Sequence, residues 1–293
     1  MIVALRMTVS ILKLRIGSFV ALAALIGILT GGPALGPLEA MVFAVAVLGA
    51  SGAAGAFNQY LERDSDRFMR RTRNRPFAKG TLKAGAIWPV TFTALLAASL
   101  LMAYSVGGTL ASVLVFSGAA TYGLVYTVWL KKRTVWNVVI GGAAGSFAVL
   151  AGAAAAAAPT EPVIGPIPVV LATVLFLWTP PHFWSLAAAR SEDYRDARVP
   201  MLPVVTEPGF WGPTIFSHVA ALVALSFLPL LLGMGPVYGL FAAAGGLPFL
   251  RASWRLMRRP DRHLAMATFR ASLLQFALLA LGVILDEGVR WAF

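Results

Sequence analysis

The sequence contains no cysteine, which excludes disulfides, thiolate metal sites and cysteine nucleophiles and leaves the compartment open. It is also short of charge. Only 12% of its 293 residues are Asp, Glu, Lys or Arg, against about one quarter in soluble domains. Acids are the scarcer sign, 12 against 24 basic residues, and there are three histidines. No long polar segment divides the chain, so no linker or soluble domain stands out. What fills the sequence is apolar: 59% of residues are hydrophobic, in runs of about 20, the length that spans a bilayer as helix. An open sheet edge is not tolerated in lipid, so these runs read as helices. The expected fold is an all-α integral membrane protein with one polytopic domain, residues 1–293.

Nine spans can be drawn: Ile16–Thr30, Leu38–Leu61, Ala86–Val106, Leu110–Leu130, Trp136–Ala157, Val163–Ala189, Trp211–Leu232, Val237–Phe249 and Met266–Leu285. The first reads as a retained span, because no small-residue cleavage site follows the basic N-terminal residues. Glycine–proline turns such as GGPALGP and GMGP separate some of the spans. The alanine-rich tract 151–159 reads as a helix end with small packing residues.

The net charge of +12 does not point to nucleic acid, because its distribution follows the membrane. If the N-terminus is cytoplasmic, every lysine and arginine except Arg290 lies at or beside a cytoplasmic loop. The positive-inside rule then predicts N-terminus in and C-terminus out. The last basic loop, RASWRLMRRPDRH (251–263), reads most simply as an anchor for lipid headgroups.

That rule explains the basic residues and not the acids among them. The stretch NQYLERDSDRFMRRTRNRP (58–76) carries three carboxylates and six arginines in 19 positions, directly after an apolar span. Asn58, Glu62 and Asp66 are spaced i, i+4, i+8 and share one helix face, whereas Asp64 is turned away. Such a row of oxygen ligands suits a hard cation. Magnesium typically takes one or two carboxylates and completes its octahedron with water and substrate phosphates. Arg67, Arg70, Arg71 and Arg75, with Lys79, are suitable donors to phosphate oxygens. The bland alternative is a set of i, i+4 salt bridges on a juxtamembrane helix.

A second acidic stretch, SEDYRDARVPMLPVV (191–205), follows the sixth span on the same predicted side. Its Asp193, backed by Asp196, can face the first cluster across a shared metal–diphosphate site. A multi-span transporter is the competing class, but transporters usually keep ionisable groups near the midplane. Here they gather at one surface, which favours chemistry on an amphiphile whose tail lies in lipid.

The first stretch resembles the aspartate-rich motif of the UbiA superfamily of intramembrane prenyltransferases. In Asn58, Glu62, Arg63, Asp66, Met69, Arg71, Thr72, Arg75 and Pro76 it is similar to the heme-farnesylating branch of that superfamily. YTVWLKKRTVWNVVIGGAAG (126–145), TPPHFWSLA (179–187) and DYRDARVPMLPVV (193–205) resemble further segments of the same branch. There are departures. Lys13-Leu14-Arg15 stands where the branch usually has Lys-Pro-Arg, and Ala148, Val149 and Ala153 stand where it has a proline pair and a later glycine–tryptophan.

The resemblance implies a bundle around a lipid-accessible cavity and transfer of farnesyl from farnesyl diphosphate to a vinyl group of heme b, giving heme O. It implies a magnesium cofactor held by Asn58, Glu62, Asp66 and Asp193, and a bacterial inner membrane setting. A downstream heme-modifying enzyme would be a partner. Another superfamily member with a quinone-precursor acceptor is the alternative. Lys132 or Arg133 would then meet the diphosphate, with Tyr194 and Asp196 alongside. Tyr126, at i+4 from Tyr122, is a candidate cavity residue, and Asn137 is a buried polar candidate one turn into the fifth span. His182, after Pro180-Pro181, is a polar ring beside a kink and a candidate for the heme iron or a propionate.

Overall fold

The computed structural model describes residues 2–33, 35–157 and 164–292. The start of the sixth predicted span at Val163 and the end of the alanine tract at Pro159 lie outside them. Among the described residues the regular elements are all helical. They are α1 (Ile2–Ile11), α2 (Leu14–Gly31), α3 (Pro37–Leu61), α4 (Arg63–Asp66), α5 (Pro76–Lys79), α6 (Ile87–Ala120), α7 (Asn137–Ala156), α8 (Pro166–Ala189), α9 (Ser191–Asp196), α10 (Leu202–Val205), α11 (Pro208–Leu225), α12 (Leu228–Leu231), α13 (Pro236–Arg258) and α14 (Arg262–Ala292). A π-helical segment, Thr121–Leu130, continues α6. Proline opens α3, α8, α11 and α13, where its fixed φ suits the first turn and its missing N–H costs nothing.

Seven of the described helical runs are long and apolar enough to cross a membrane, where nine spans were expected. The difference has two physical sources. The third and fourth predicted spans form one 44-residue run, Ile87–Leu130. This run turns at Gly108, whose φ of 73° is accessible chiefly to glycine. Ser112 donates a hydrogen bond to the Leu100 carbonyl across that turn, at 3.0 Å, whereas a straight helix would hold the two residues about 18 Å apart. The eighth predicted span lies in α13, where Arg251, Arg255 and Arg258 dilute the apolar character. Large apolar side chains such as Leu101, Leu231 and Leu240 point outward and stay exposed, as lipid-facing residues do.

The helices pack as two groups. α2, α3, α6 and α7 contact one another, as do α8, α11, α13 and α14, and the α7–α8 and α2–α14 contacts join the groups. Without a hydrophobic drive between helices in lipid, close approach through small residues does the holding. The α2–α7 crossing is the tightest example. A Cβ on Gly27 would lie 2.0 Å from the Val149 carbonyl oxygen, and one on Gly152 1.9 Å from that of Ala24. Gly31 likewise abuts Ala153. Two of the positions that depart from the resembled pattern, Val149 and Ala153, therefore form this crossing, and α7 runs through them as an unbroken helix. At the far end, the Asp286 carboxylate of α14 accepts from the N–H groups of Gly235 and Tyr238, at 2.7 and 3.1 Å, and caps α13 across space.

Gly152→Ala is expected to force α2 and α7 apart and destabilise the protein by roughly 1–3 kcal/mol, the usual range for overpacking. Thermal unfolding in detergent should show a lowered midpoint, whereas Gly288→Ala, with open space around it, should leave the midpoint unchanged.

Candidate active site

The end of α3 carries the predicted face. The chain continues helically past Leu61, with the Glu62 N–H bonded to the Asn58 carbonyl at 3.0 Å and the Asp66 N–H to the Glu62 carbonyl at 2.8 Å. Asn58, Glu62 and Asp66 thus remain on one side, with exposures of 1%, 6% and 2%. Asp64 projects into solvent, where among the described residues it meets only Arg67, at 4.0 Å.

Each polar group on this face meets a cation. Lys131 pairs with Glu62 at 2.5 Å, and Arg75 pairs with Asp66 at 2.7 Å. Lys13 donates to the Asn58 Oδ1 and, at 3.0 Å, to the Tyr122 hydroxyl. The backbone at Lys13 is left-handed, φ 49°, which is uncommon for a side-chain-bearing residue. The Gln59 amide fixes that turn by donating to the carbonyls of Ser10 and Ile11. Burial pushes the Glu62 carboxyl up, but Lys131 beside it, with Lys13 and Arg75 behind, outweighs burial and holds it below the ordinary glutamate range. Burial and the nearby Arg75 charge together pull the Lys13 ammonium well below the ordinary lysine range.

The π-helical segment supplies the opposite wall. Its wider turn brings residues i and i+5 into register: Thr127 donates to the Tyr122 carbonyl at 2.8 Å, and the Lys131 N–H to the Tyr126 carbonyl at 2.8 Å. Asn58 donates to the Thr127 hydroxyl, which ties this wall to α3. The rings of Tyr122 and Tyr126 stack with centroids 5.8 Å apart and planes 13° from parallel. The Lys131 ammonium lies 5.8 Å from the centre of the Tyr126 ring. Its ring rests on Gly141, where a Cβ would come within 2.8 Å.

Below this polar end lies an apolar cavity of about 180 Å³ between α2, α3, α6, α7 and α8. Ala50, Ala54, Gly118, Gly145, Ala148 and Phe183 are among its lining residues. Tyr122 also lines it, so one side chain touches both the cavity and the Lys13–Asn58 pair. An amphiphile with an anionic head and an isoprenoid tail matches that sequence of environments.

The second loop comes to the same end of the bundle. Met69 of the first loop is buried in one apolar cluster with Trp184, Tyr194 and Met201. Asp193 is buried, at 5% exposure, and Asp196 is exposed. Asp193 lines a separate polar pocket with Arg70, Arg190, Ser191, Glu192 and Arg262. Among the described residues no three Asp, Glu or His side chains gather closely enough to hold a metal ion, so Glu62, Asp66 and Asp193 form no ready three-acid site. α9 turns Asp193 into the second pocket and packs Tyr194 into one cluster with Met69 of the first loop. Asn137 is buried, as expected from its place one turn into the fifth predicted span. Its Nδ2 donates to the Thr134 carbonyl at 2.6 Å and lies 3.4 and 3.5 Å from the carbonyls of Lys131 and Pro200, which brings the two loops together, while its Oδ1 is buried without a hydrogen-bond partner among the described residues.

The other predicted donors divide. Arg71, Lys79, Lys132 and Arg133 are exposed at the surface. Arg67 is spent on the Ala78 carbonyl, at 3.1 Å, and on Asp64. The sequence reading assigned Lys13 and Lys131 to membrane orientation alone, and these are the cations that reach Asn58 and Glu62. Their signal was present: each lies within one turn of an apolar span, where an unpaired ammonium is costly.

His182 lies in α8 directly after Pro180 and Pro181, through which the helix runs unbroken. It stacks on Trp178 at 4.2 Å, and Phe269 and Phe183 complete an aromatic surround. Its Nδ1 lies 2.7 Å from the Ser272 hydroxyl. That hydroxyl already donates to the Phe269 carbonyl, so it accepts from Nδ1–H. The neutral imidazole then carries its lone pair on Nε2.

A buried row of carboxylates and cations above an apolar cavity suits a membrane prenyltransferase, and the sequence agrees: the chain belongs to the UbiA prenyltransferase family, which it matches over residues 19–279. More particularly, it is 51% identical over 283 residues to protoheme IX farnesyltransferase 2 of Paramagnetospirillum magneticum, covering 96% of this chain and 97% of that protein. It is 40% identical to protoheme IX farnesyltransferase 1 of the same organism, over 96% and 98% of the two chains. The fold superposes on a digeranylgeranylglyceryl phosphate synthase with a TM-score of 0.78 at 18% identity, over 97% and 98% of the chains. A UbiA homologue from Archaeoglobus fulgidus bound to GPP and Mg2+ gives a TM-score of 0.70 at 17% identity, over 95% and 99%. The protein is accordingly an integral membrane protein of this family.

Lys131→Met would leave the Glu62 carboxylate buried without its partner and is expected to lower stability by about 3–5 kcal/mol. Lys132→Met, one residue on and exposed, should stay within about 0.5 kcal/mol of wild type in the same thermal unfolding assay. Gly141→Ala should preserve the fold while displacing the Tyr126 ring, seen as a large loss of prenyl transfer with an unchanged unfolding midpoint.

Proposed function

We propose that this protein transfers the farnesyl group of farnesyl diphosphate to a vinyl group of protoheme IX, forming heme O. The observation that carries the donor half is the continuity at Tyr122 between the apolar cavity and the Lys13–Asn58, Lys131–Glu62 and Arg75–Asp66 pairs. The acceptor half is supported by the relatives named protoheme IX farnesyltransferase, 51% identical along almost the whole chain.

In this reading the farnesyl tail lies in the cavity and the diphosphate sits at the polar end. Lys13, Arg71 and Arg75, with Lys132 and Arg133 from the neighbouring loop, take up its oxygens. The residues also fit a magnesium ion. Glu62 and Asp66 each commit one carboxylate oxygen to a cation, and the second oxygen of each makes no hydrogen bond among the described residues. Two such oxygens with substrate oxygens and water suit a hard octahedral ion, which when bound neutralises charge on the leaving diphosphate. The C1–O bond breaks with its electron pair leaving on the diphosphate. The stacked faces of Tyr122 and Tyr126 favour the allylic cation. The vinyl group attacks C1, a carbon–carbon bond forms, and water captures the new cation with loss of a proton. His182 serves the acceptor side, with the Nε2 lone pair as the group able to meet heme iron.

The chain acts as one polytopic domain in the inner membrane of a bacterium, with the polar end and the N-terminus facing the cytoplasm. An enzyme that modifies heme O further is the natural consumer of the product.

Pigment extracted from membranes expressing the wild-type chain should contain a farnesylated heme. Asp66→Ala is expected to reduce that product at least about a hundredfold, the scale of losing a group that stabilises developing charge, with the protein still folded in the membrane. Asp64→Ala, solvent-exposed, should stay within about threefold on the same scale. A wild-type membrane that turns over farnesyl diphosphate only with an aromatic acid, and not with heme, would exclude heme as acceptor.

A further inference from the structure

The outer side of the last helical hairpin carries basic residues that prenyl transfer does not use. From Arg251 to Arg270 the chain holds six arginines and one carboxylate, Asp261, which Arg259 already faces at 3.9 Å. Arg251, Arg255 and Arg270 are exposed, and their side chains form no ion pair among the described residues. α13 and α14 are joined by residues 259–261 and run antiparallel. Their register is fixed where Gly245 meets α14: a Cβ there would lie 2.9 Å from the Gln275 Cα. Counted from that contact toward the hairpin tip, Arg251 and Arg270 stand at one height, to within about 1.5 Å. They also share a side. α8 and α11 pack against each other and cover one side of the hairpin, α11 on α13 and α8 on α14. The exposed residues of both hairpin helices fall on the other side.

That height is the edge of the membrane. Close contacts carry it across the bundle: Gly245 meets Gln275, Ser272 meets His182, Thr179 meets Gly142, and Gly141 meets Tyr126. Counted along each axis from these contacts, Arg251 and Arg270 fall within roughly one helical turn of Trp129, Trp136 and Trp254. These three tryptophans are exposed, as rings at a membrane–water interface are. One turn below the arginines, on the same side, Leu247 and Leu274 are exposed and apolar. An unpaired guanidinium is costly among acyl chains, but its long stem lets it reach the headgroup level. There its fork matches phosphate oxygens. A zwitterionic headgroup would bring a further cation to a surface already rich in them, and an anionic headgroup would not.

We propose that the hairpin binds an anionic glycerophospholipid, its phosphate held between Arg251 and Arg270 with Arg255 above, and its acyl chains lying on Leu247 and Leu274. The lipid ties α13 to α14 from the side away from α8 and α11. The proposal is independent of which acceptor the enzyme uses. It narrows the general headgroup anchor of 251–263 to particular arginines and adds Arg270 from within the span.

The test uses the full-length protein in neutral detergent, with phosphatidylglycerol, phosphatidylcholine and inorganic phosphate added as separate probes. Native mass spectrometry reads retained lipid, and thermal unfolding reads its stabilising effect, since a ligand of the folded state raises the midpoint. Wild type should retain phosphatidylglycerol and unfold at a higher temperature with it, and should respond little to the other two probes. Arg251→Gln combined with Arg270→Gln should weaken retention at least about tenfold, the scale of two basic side chains at an anionic surface, and abolish the upward shift. Arg258→Gln combined with Arg259→Gln removes the same charge from the hairpin tip and should keep most of the shift. Arg251→Lys combined with Arg270→Lys should keep part of the retention, which separates charge from folding. The proposal is overturned if phosphatidylcholine or inorganic phosphate raises the midpoint as much as phosphatidylglycerol, or if the tip pair loses as much retention as the Arg251–Arg270 pair. It is equally overturned if the lysine pair loses as much as the glutamine pair, or if wild type runs as a dimer that carries no lipid.

Discussion

Two carboxylates withdrawn from water at the end of an apolar helix set the terms for the rest of this protein. Glu62 and Asp66 are nearly inaccessible, and a lone carboxylate so placed would protonate or draw the fold apart. Each is met by one cation, Lys131 or Arg75, and each partner arrives from a different piece of chain. To bring Lys131 to Glu62 the preceding helix widens into a π-helical segment, and that change sets Tyr122 and Tyr126 one above the other. To bring Lys13 to Asn58 the backbone adopts a left-handed turn locked by Gln59. The unusual local geometry of the site is thus a consequence of pairing buried charge.

The same economy shapes the bundle beneath. Helices in lipid gain little from burying apolar surface against one another, so α2 and α7 approach until backbone meets backbone at Gly27 and Gly152. The neighbouring glycines and alanines of α7 leave space instead of filling it, and the cavity below Tyr122 is the result. Small residues therefore do two opposite things on one helix: facing α2 they close a gap, and facing α6 and α8 they keep one open. α8 lies between this cavity, which Thr179 and Phe183 line, and the contacts that Trp178 and His182 make with α14.

Much of this was legible in the linear sequence. The apolar runs dictate helices because lipid permits little else, and α2, α3, α7 and α8 fall close to the drawn boundaries. The i, i+4, i+8 spacing placed Asn58, Glu62 and Asp66 together and Asp64 apart, because helical periodicity is local and survives into the fold. The motifs were sufficient to recognise the superfamily, which the match over residues 19–279 now shows.

Tertiary structure decided which charges meet. Every lysine and arginine near the polar end satisfies the charge bias across the membrane equally well, so orientation alone does not distinguish Lys131 from Lys132. Only the path of the backbone through the π-helical segment turns Lys131 inward and Lys132 outward. Likewise, the clasp of Asn137 on Pro200 and the turn of Asp193 into a pocket with Arg262 join residues about 60 and 70 positions apart. Helical periodicity specifies a face. Which neighbour that face meets depends on how the helices cross, and those crossings are set by close contacts between distant segments such as Gly152 on Ala24.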